Sequence, residues 1–301
     1  MDQRQAKCDA ERLMAPFIDF VRASPIRIAP ERADDYAALF DGTPPCVDFT
    51  NSKANFEAHV GEPSVEIRFS ALLSLWATAK AVLRISNAMA AVMRDAIERN
   101  ANRAALEFEL GTPAYEGRVL IDVAKDLIEN PNAKWRDDLA CPLLSANLFD
   151  IDANINDLFL GACGWCVLHE IAHIVLGHQG TTSRDILLQQ EFDADAWATN
   201  WILERCPAVE QRRFRVLCCA TGLAWIGLVD VVRRGSSDHP HASQRLLECV
   251  KRFGDGGLSG AIEIAMHFLK ALFIPGEELE VADDADNALF DVLFNYLRKD
   301  H

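Results

Sequence analysis

Apolar residues recur at helical spacing along most of this chain, and only one short stretch alternates as a strand does. Between Arg4 and Ala23, Leu13, Phe17 and Phe20 mark one helical face. Glu31 to Phe40 follows Pro30 and places Glu31 and Asp34 in its first turn, which predicts a short helix. Pro44 and Pro45 end that pattern. Val65 to Phe69 alternates apolar and polar and predicts a strand. Ser70 to Asn100, rich in Ala, Leu and Met, predicts one long helix or two. Tyr115 to Glu129 predicts another, stopped by Asn130-Pro131-Asn132. Further helices are expected over Leu158 to Leu176, Asp185 to Cys206, Arg213 to Val232 and through Leu246 to Val250. Beyond them, Ala261 to Phe273 is amphipathic, Pro275 to Asp286 reads as an acidic loop, and Ala288 to Leu297 as a last helix. The expected class is mainly α, an α+β fold with a small sheet. Candidate chemistry concentrates late, so the chain divides into a mixed, largely helical region 1–139 and a second region 140–301.

That chemistry is His169-Glu170-Ile171-Ala172-His173 on the apolar helix and Glu191 with Asp195 on the next one. Residues four apart share a helix face, so His169 and His173 can grip one ion. Glu191 offers a carboxylate as third ligand, and two His with one Glu and an open position form a catalytic zinc site. Glu170 stands where a carboxylate can take a proton from water activated by the ion. Asp195, one turn after Glu191, can accept the other ring N–H of a ligating His and fix its tautomer. The plain alternative is a core helix whose polar groups satisfy one another. A metzincin register fails, because the required Gly and His positions hold Leu176 and Gln179. Gly177 then reads as the residue that ends the helix, and His178 as a surface group or one lying behind a ligand.

Composition narrows the partners. The 301 residues carry a net charge of −15, with no basic cluster beyond short pairs such as Arg212-Arg213, so nucleic acid and anionic membrane are poor partners. Leu158 to Leu176 approaches the length of a membrane span but carries His169, Glu170 and His173. Val216 to Val229 is too short for one. The nine cysteines form no repeating frame, and Met1 to Lys7 is polar, which points to free thiols in a reducing cytoplasm. Cys163-Gly164-Trp165-Cys166 has redox spacing without the strand–turn–helix context that redox chemistry uses, and it reads as buried thiols.

The His169–His173 motif with Glu191-Phe192-Asp193-Ala194-Asp195 resembles the gluzincin peptidases of H-E-x-x-H…E-x-x-A-D signature, which include the CAAX prenyl proteases and the HtpX membrane peptidases. Ser237-Asp238-His239-Pro240 followed by Arg245 matches a further segment of that group. The resemblance implies a zincin-like catalytic region over 140–301, with His239 steadying the oxyanion and Arg245 ordering the site. Read by itself, His239 is a helix-start residue before Pro240. Those membrane enzymes carry several clear spans that this chain lacks. From about Val167 to Trp201 the chain is most similar to the phage-exclusion Lit peptidase family. That resemblance implies a soluble effector that cleaves elongation factor Tu when a phage peptide activator is sensed. The ImmA/IrrE group of repressor-cleaving peptidases is also similar, but has Asn where this chain has Asp195. The expected function is a cytoplasmic, zinc-dependent endopeptidase with a specific protein substrate. The alternative from another class is a zinc-binding sensor or degenerate peptidase fold, and the intact Glu170 separates the two, since a purely structural site needs no general base.

Overall fold

A computed structural model describes residues 8–144, 151–178, 180, 183–234, 239–253 and 279–280. The first predicted helix, Arg4 to Ala23, is divided at Pro16, and a further short helix begins at Ser24-Pro25. Helix α1 (Asp9–Met14) gives way to a tight 3-10 turn, Ala15–Phe17, before α2 (Ile18–Arg22) and α3 (Ser24–Ile28). Proline is accepted in a first helical turn, where its missing N–H has no intrahelical partner, so each proline begins a new element. Helix α4 (Ala33–Ala38) follows a 3-10 turn at Pro30–Arg32.

Three strands come next, β1 (Cys46–Thr50), β2 (Phe56–His59) and β3 (Ser64–Arg68), in the order β1-β3-β2. β3 is the predicted strand, and its Val65 and Ile67 are buried while their neighbours are half-buried. It pairs parallel with β1 and antiparallel with β2, so β2 is an edge of this sheet. The expected small sheet is thus present, with two strands that the alternation did not mark.

Helix α5 (Phe69–Glu98) is one continuous element. After β4 (Arg103–Ala104), Thr112 caps α6 (Pro113–Glu129) by accepting the Tyr115 N–H at 3.2 Å. Glu116 of α6 binds both the buried Lys80 and Arg84 of α5, each at 2.9 Å. Helix α7 (Ile151–Val175) is the centre of the molecule and packs against α5, α3, β2, α8 (Arg184–Leu203) and α9 (Val209–Arg233). Gly164 permits the close approach of α3, because a Cβ there would lie 2.8 Å from the Ser24 carbonyl oxygen. Three buried indoles donate across elements: Trp76 to Asn156 at 3.0 Å, Trp165 to Thr199 at 3.1 Å and Trp225 to Ser74 at 2.8 Å. Helix α10 (Ala242–Phe253) lies against α8 and α9. β4 pairs antiparallel with β5 (Leu279–Glu280), inside the stretch expected to be a loop. The amphipathic stretch Ala261–Phe273 and the helix expected over Ala288–Leu297 lie outside the described residues.

Ala153–Val175 and Val209–Arg233 are long and apolar enough to cross a membrane, but most of each is buried in the protein. Their apolar surface covers, and is covered by, other helices, which accounts for composition that a span would also show.

An ion pair between the buried Arg215 and the solvent-exposed Glu31 ties the N-terminal region to α9. Arg215 donates to both Glu31 oxygens at 2.5 and 2.8 Å, and to the Ile202 carbonyl at 2.8 Å. The Arg215 guanidinium holds the Glu31 carboxyl below its ordinary value near 4.5. A depressed carboxyl stabilises the fold above its unfolded pKa and loses that contribution as pH falls through the folded one. Because water screens the exposed Glu31, Glu31→Gln is expected to cost no more than about 1 kcal/mol at neutral pH. The gap between wild type and variant in denaturant melts closes as pH drops below the Glu31 reference value.

Candidate metal centre

Helices α7 and α8 meet through a ladder in which one ascends as the other descends. Trp165 bonds Thr199, His169 Nδ1 lies 2.9 Å from Asp195 Oδ1, and His173 Nε2 lies 3.4 Å from Glu191 Oε1. Each rung is four residues on along α7 and four back along α8, as two antiparallel helices require. The two Nε2 atoms stand 3.2 Å apart, and Glu191 Oε2 is 3.5 Å from that of His169. One ligand atom from each of His169, His173 and Glu191 thus falls within 4.8 Å of the others. Both Nδ1 atoms are engaged elsewhere, so each ring presents Nε2 to the same point. Two ring nitrogens and one carboxylate oxygen converging in this way fit a divalent cation such as zinc.

Arg245 closes the site from α10. Its Nε and Nη2 donate to the two oxygens of Asp195, each at 2.7 Å, and its Nη1 lies 3.3 Å from Glu191 Oε2. Asp195 and Arg245 are both buried, so the bidentate pair satisfies two charges that would otherwise be costly. Asp230 accepts the Ala242 N–H at 2.8 Å and so anchors the first turn of α10, one turn before Arg245. His239 stands at that entrance, with Nδ1 3.2 Å from Glu191 Oε2 and its side chain 52% exposed. Ser237 and Asp238 lie outside the described residues.

The electrostatics follow from this crowding. Burial opposes a charge on His169, but its bonds to Asp195 and Glu191 outweigh burial and push it up to about 10. Burial would raise both carboxyls, yet His169, His173 and Arg245 hold Glu191 well below the usual range, and Arg245 and His169 lower Asp195. The point where the two Nε2 atoms meet is therefore strongly attractive to positive charge.

The site opens into a cleft of about 1390 Å³. The edge strand β2 supplies one wall through Phe56 to His59, and α9 another through Trp225, Ile226 and Val229. Glu170 borders the cleft beside His169, half-buried, and no described residue pairs with its carboxylate by a hydrogen bond or ion pair.

Gly177, at φ +66°, stops α7, as its position after the apolar run led us to expect. The turn carries His178 back over the helix end, where its N–H bonds the His173 carbonyl at 2.9 Å and its Nδ1 lies 2.9 Å from that of His173. His178 is thus partly buried behind a candidate ligand. The Asp230 anchor went unnoticed in the sequence, because an Asp capping a helix twelve residues later leaves no local signal. The five core cysteines Cys163, Cys166, Cys218, Cys219 and Cys249 are free and buried, and burial raises each thiol's pKa. That suits packing and not redox chemistry.

A curated relative, the "Cell death peptidase" of Escherichia coli (strain K12), is 28% identical over 138 residues, which cover 44% of this chain and 45% of that protein. The alignment therefore spans less than half of the relative's length. No solved structure matches. The sequence model of Peptidase U49, the Lit peptidase family, matches residues 65–265, which include the α9 wall of the cleft and every candidate site residue from His169 to Arg245. With that match covering most of its length, the chain belongs to the Peptidase U49 family.

Proposed function

We propose that this chain is a zinc-dependent endopeptidase, with His169, His173 and Glu191 as ligands and Glu170 as general base. The observation that carries the reading is the convergence of three ligand atoms within 4.8 Å, beside a carboxylate, Glu170, that no described residue pairs with, at the wall of an open cleft. A zinc ion bound there supplies Lewis acidity, polarising the scissile carbonyl and making water a better nucleophile near neutral pH. Glu170 takes the proton of the attacking water and passes it to the leaving amine. His239, whose Nδ1 faces Glu191, keeps its other ring nitrogen for the carbonyl oxygen as negative charge develops there. Asp195 holds the ring of His169, and Arg245 holds Asp195 and Glu191. The edge strand β2 offers backbone groups to an extended segment of substrate, which suits a protein chain entering the cleft. A purely structural ion would favour four protein ligands and would have no use for Glu170.

Family membership and the similarity to a cell death peptidase support a protein substrate. We carry over elongation factor Tu as that substrate and a phage peptide as the activator, both from the resemblance to the Lit family. A cytoplasmic site of action agrees with that substrate and with the free cysteines.

Metal analysis tests the centre. Purified wild type is expected to hold about one zinc per chain and His173→Ala well under half of that. Equal zinc in the two proteins would overturn the ligand assignment. His239→Ala is expected to lower kcat roughly 10- to 1000-fold with zinc content unchanged. A variant with full kcat would remove His239 from the mechanism.

A further inference from the structure

We infer that His178 is a positioning residue for the metal site, whose Nδ1 accepts the hydrogen bond that fixes the ring of His173. This rests on the zinc reading above and extends it to a residue outside the ligand set.

A ligating imidazole has two nitrogens, and the one not bound to metal needs a partner to set the ring's rotation. His169 has its partner in Asp195, at 2.9 Å from Nδ1. Among the described residues, His173 has no carboxylate in that place. Its Nδ1 meets His178 Nδ1 at 2.9 Å, and no other hydrogen-bond partner of that nitrogen occurs among the described residues. The rings meet edge to face, with centroids 4.9 Å apart and planes at 73°.

The proton assignment follows from ligand chemistry. A His173 that binds metal through Nε2 carries its one ring proton on Nδ1, so it is the donor in this pair. His178 must then accept through a bare Nδ1 and carry its own proton on Nε2. The turn that enforces the contact is built into the chain. The left-handed backbone at Gly177 folds the next residue back, and the His178 N–H is itself tied to the His173 carbonyl. The ligand is thereby gripped twice by one residue, at its backbone and at its ring.

The two histidine ligands therefore differ in their support. The carboxylate behind His169 adds negative charge and makes that ring the more basic ligand. The imidazole behind His173 orients its ring without adding charge. His178 also borders the cleft, so the support for the second ligand reaches the surface that substrate meets, while Asp195 is fully enclosed.

The test compares zinc affinity, by chelator competition, for wild type, His178→Phe and His178→Asn. Phenylalanine keeps the ring and loses the acceptor. Asparagine loses the ring and keeps an acceptor oxygen close to the position of Nδ1. We expect His178→Phe to bind zinc about 10- to 100-fold more weakly and His178→Asn to recover to within about threefold of wild type. Metal-free melting temperatures that agree across the three exclude a folding defect as the cause. Wild-type affinity in His178→Phe, or equal losses in both variants, would overturn the inference while leaving the metal centre intact. A wild type that holds no zinc would overturn the metal reading and this inference together.

Discussion

Glu170→Gln is expected to keep zinc and to lose hydrolysis by roughly 10²- to 10⁴-fold, the usual contribution of a positioned acid–base group. The exchange is nearly isosteric, and Glu170 makes no hydrogen bond or ion pair to a described residue that the amide would break. α7 and the ligand set should be undisturbed, so a metal-replete, folded and inactive protein is the signature. Zinc content and melting temperature establish the first two properties, and kcat on a defined substrate the third. Wild-type turnover in the variant would take the general-base role from Glu170. Loss of zinc with loss of activity would mean that the carboxylate supports the metal directly.

Arg245→Ala is the substitution expected to cost most stability. It removes the two Arg245 hydrogen bonds to the fully enclosed Asp195, which keeps its contact with His169, and the Nη1 contact with Glu191, leaving two buried carboxylates short of a cation. Breaking one side of a buried pair costs about 3–5 kcal/mol. In a chain of this size that is a fall in Tm on the order of 10 °C. Replacing the pair together, as Asp195→Leu with Arg245→Met, should regain much of the stability because no buried charge is stranded. It should still weaken zinc binding, because His169 loses the acceptor on its Nδ1. A single variant that melts like wild type would show that the pair contributes nothing net.

The parts of the site that repeat every four residues were legible in the sequence. His169, His173, Glu191 and Asp195 each sit on a helix that the apolar spacing predicts, and side-chain direction on a helix follows from position alone. Trp165 and Thr199 continue that spacing and could have been added as the next rung. β1 and β2 were not legible because they are four or five residues long, because β1 is held by β3 and because β2 packs against α7, which comes far later in the chain. The cleft inherits that difficulty, since one of its walls is β2. The His173–His178 contact was hidden for another reason. Five residues apart is off-face on a continuous helix, and only the left-handed turn at Gly177 brings the rings together. The division of the N-terminal helix was announced by Pro16, which helical spacing alone overrode.

The most direct test of a zinc endopeptidase is to map new protein N-termini in cells expressing wild type or Glu170→Gln, with and without phage infection, and in extracts treated with a zinc chelator. The account predicts a cut at one site in one abundant protein, made by wild type only and abolished by the chelator. The same cut made by Glu170→Gln or persisting under chelation, or no new terminus from the zinc-loaded wild type, would contradict it.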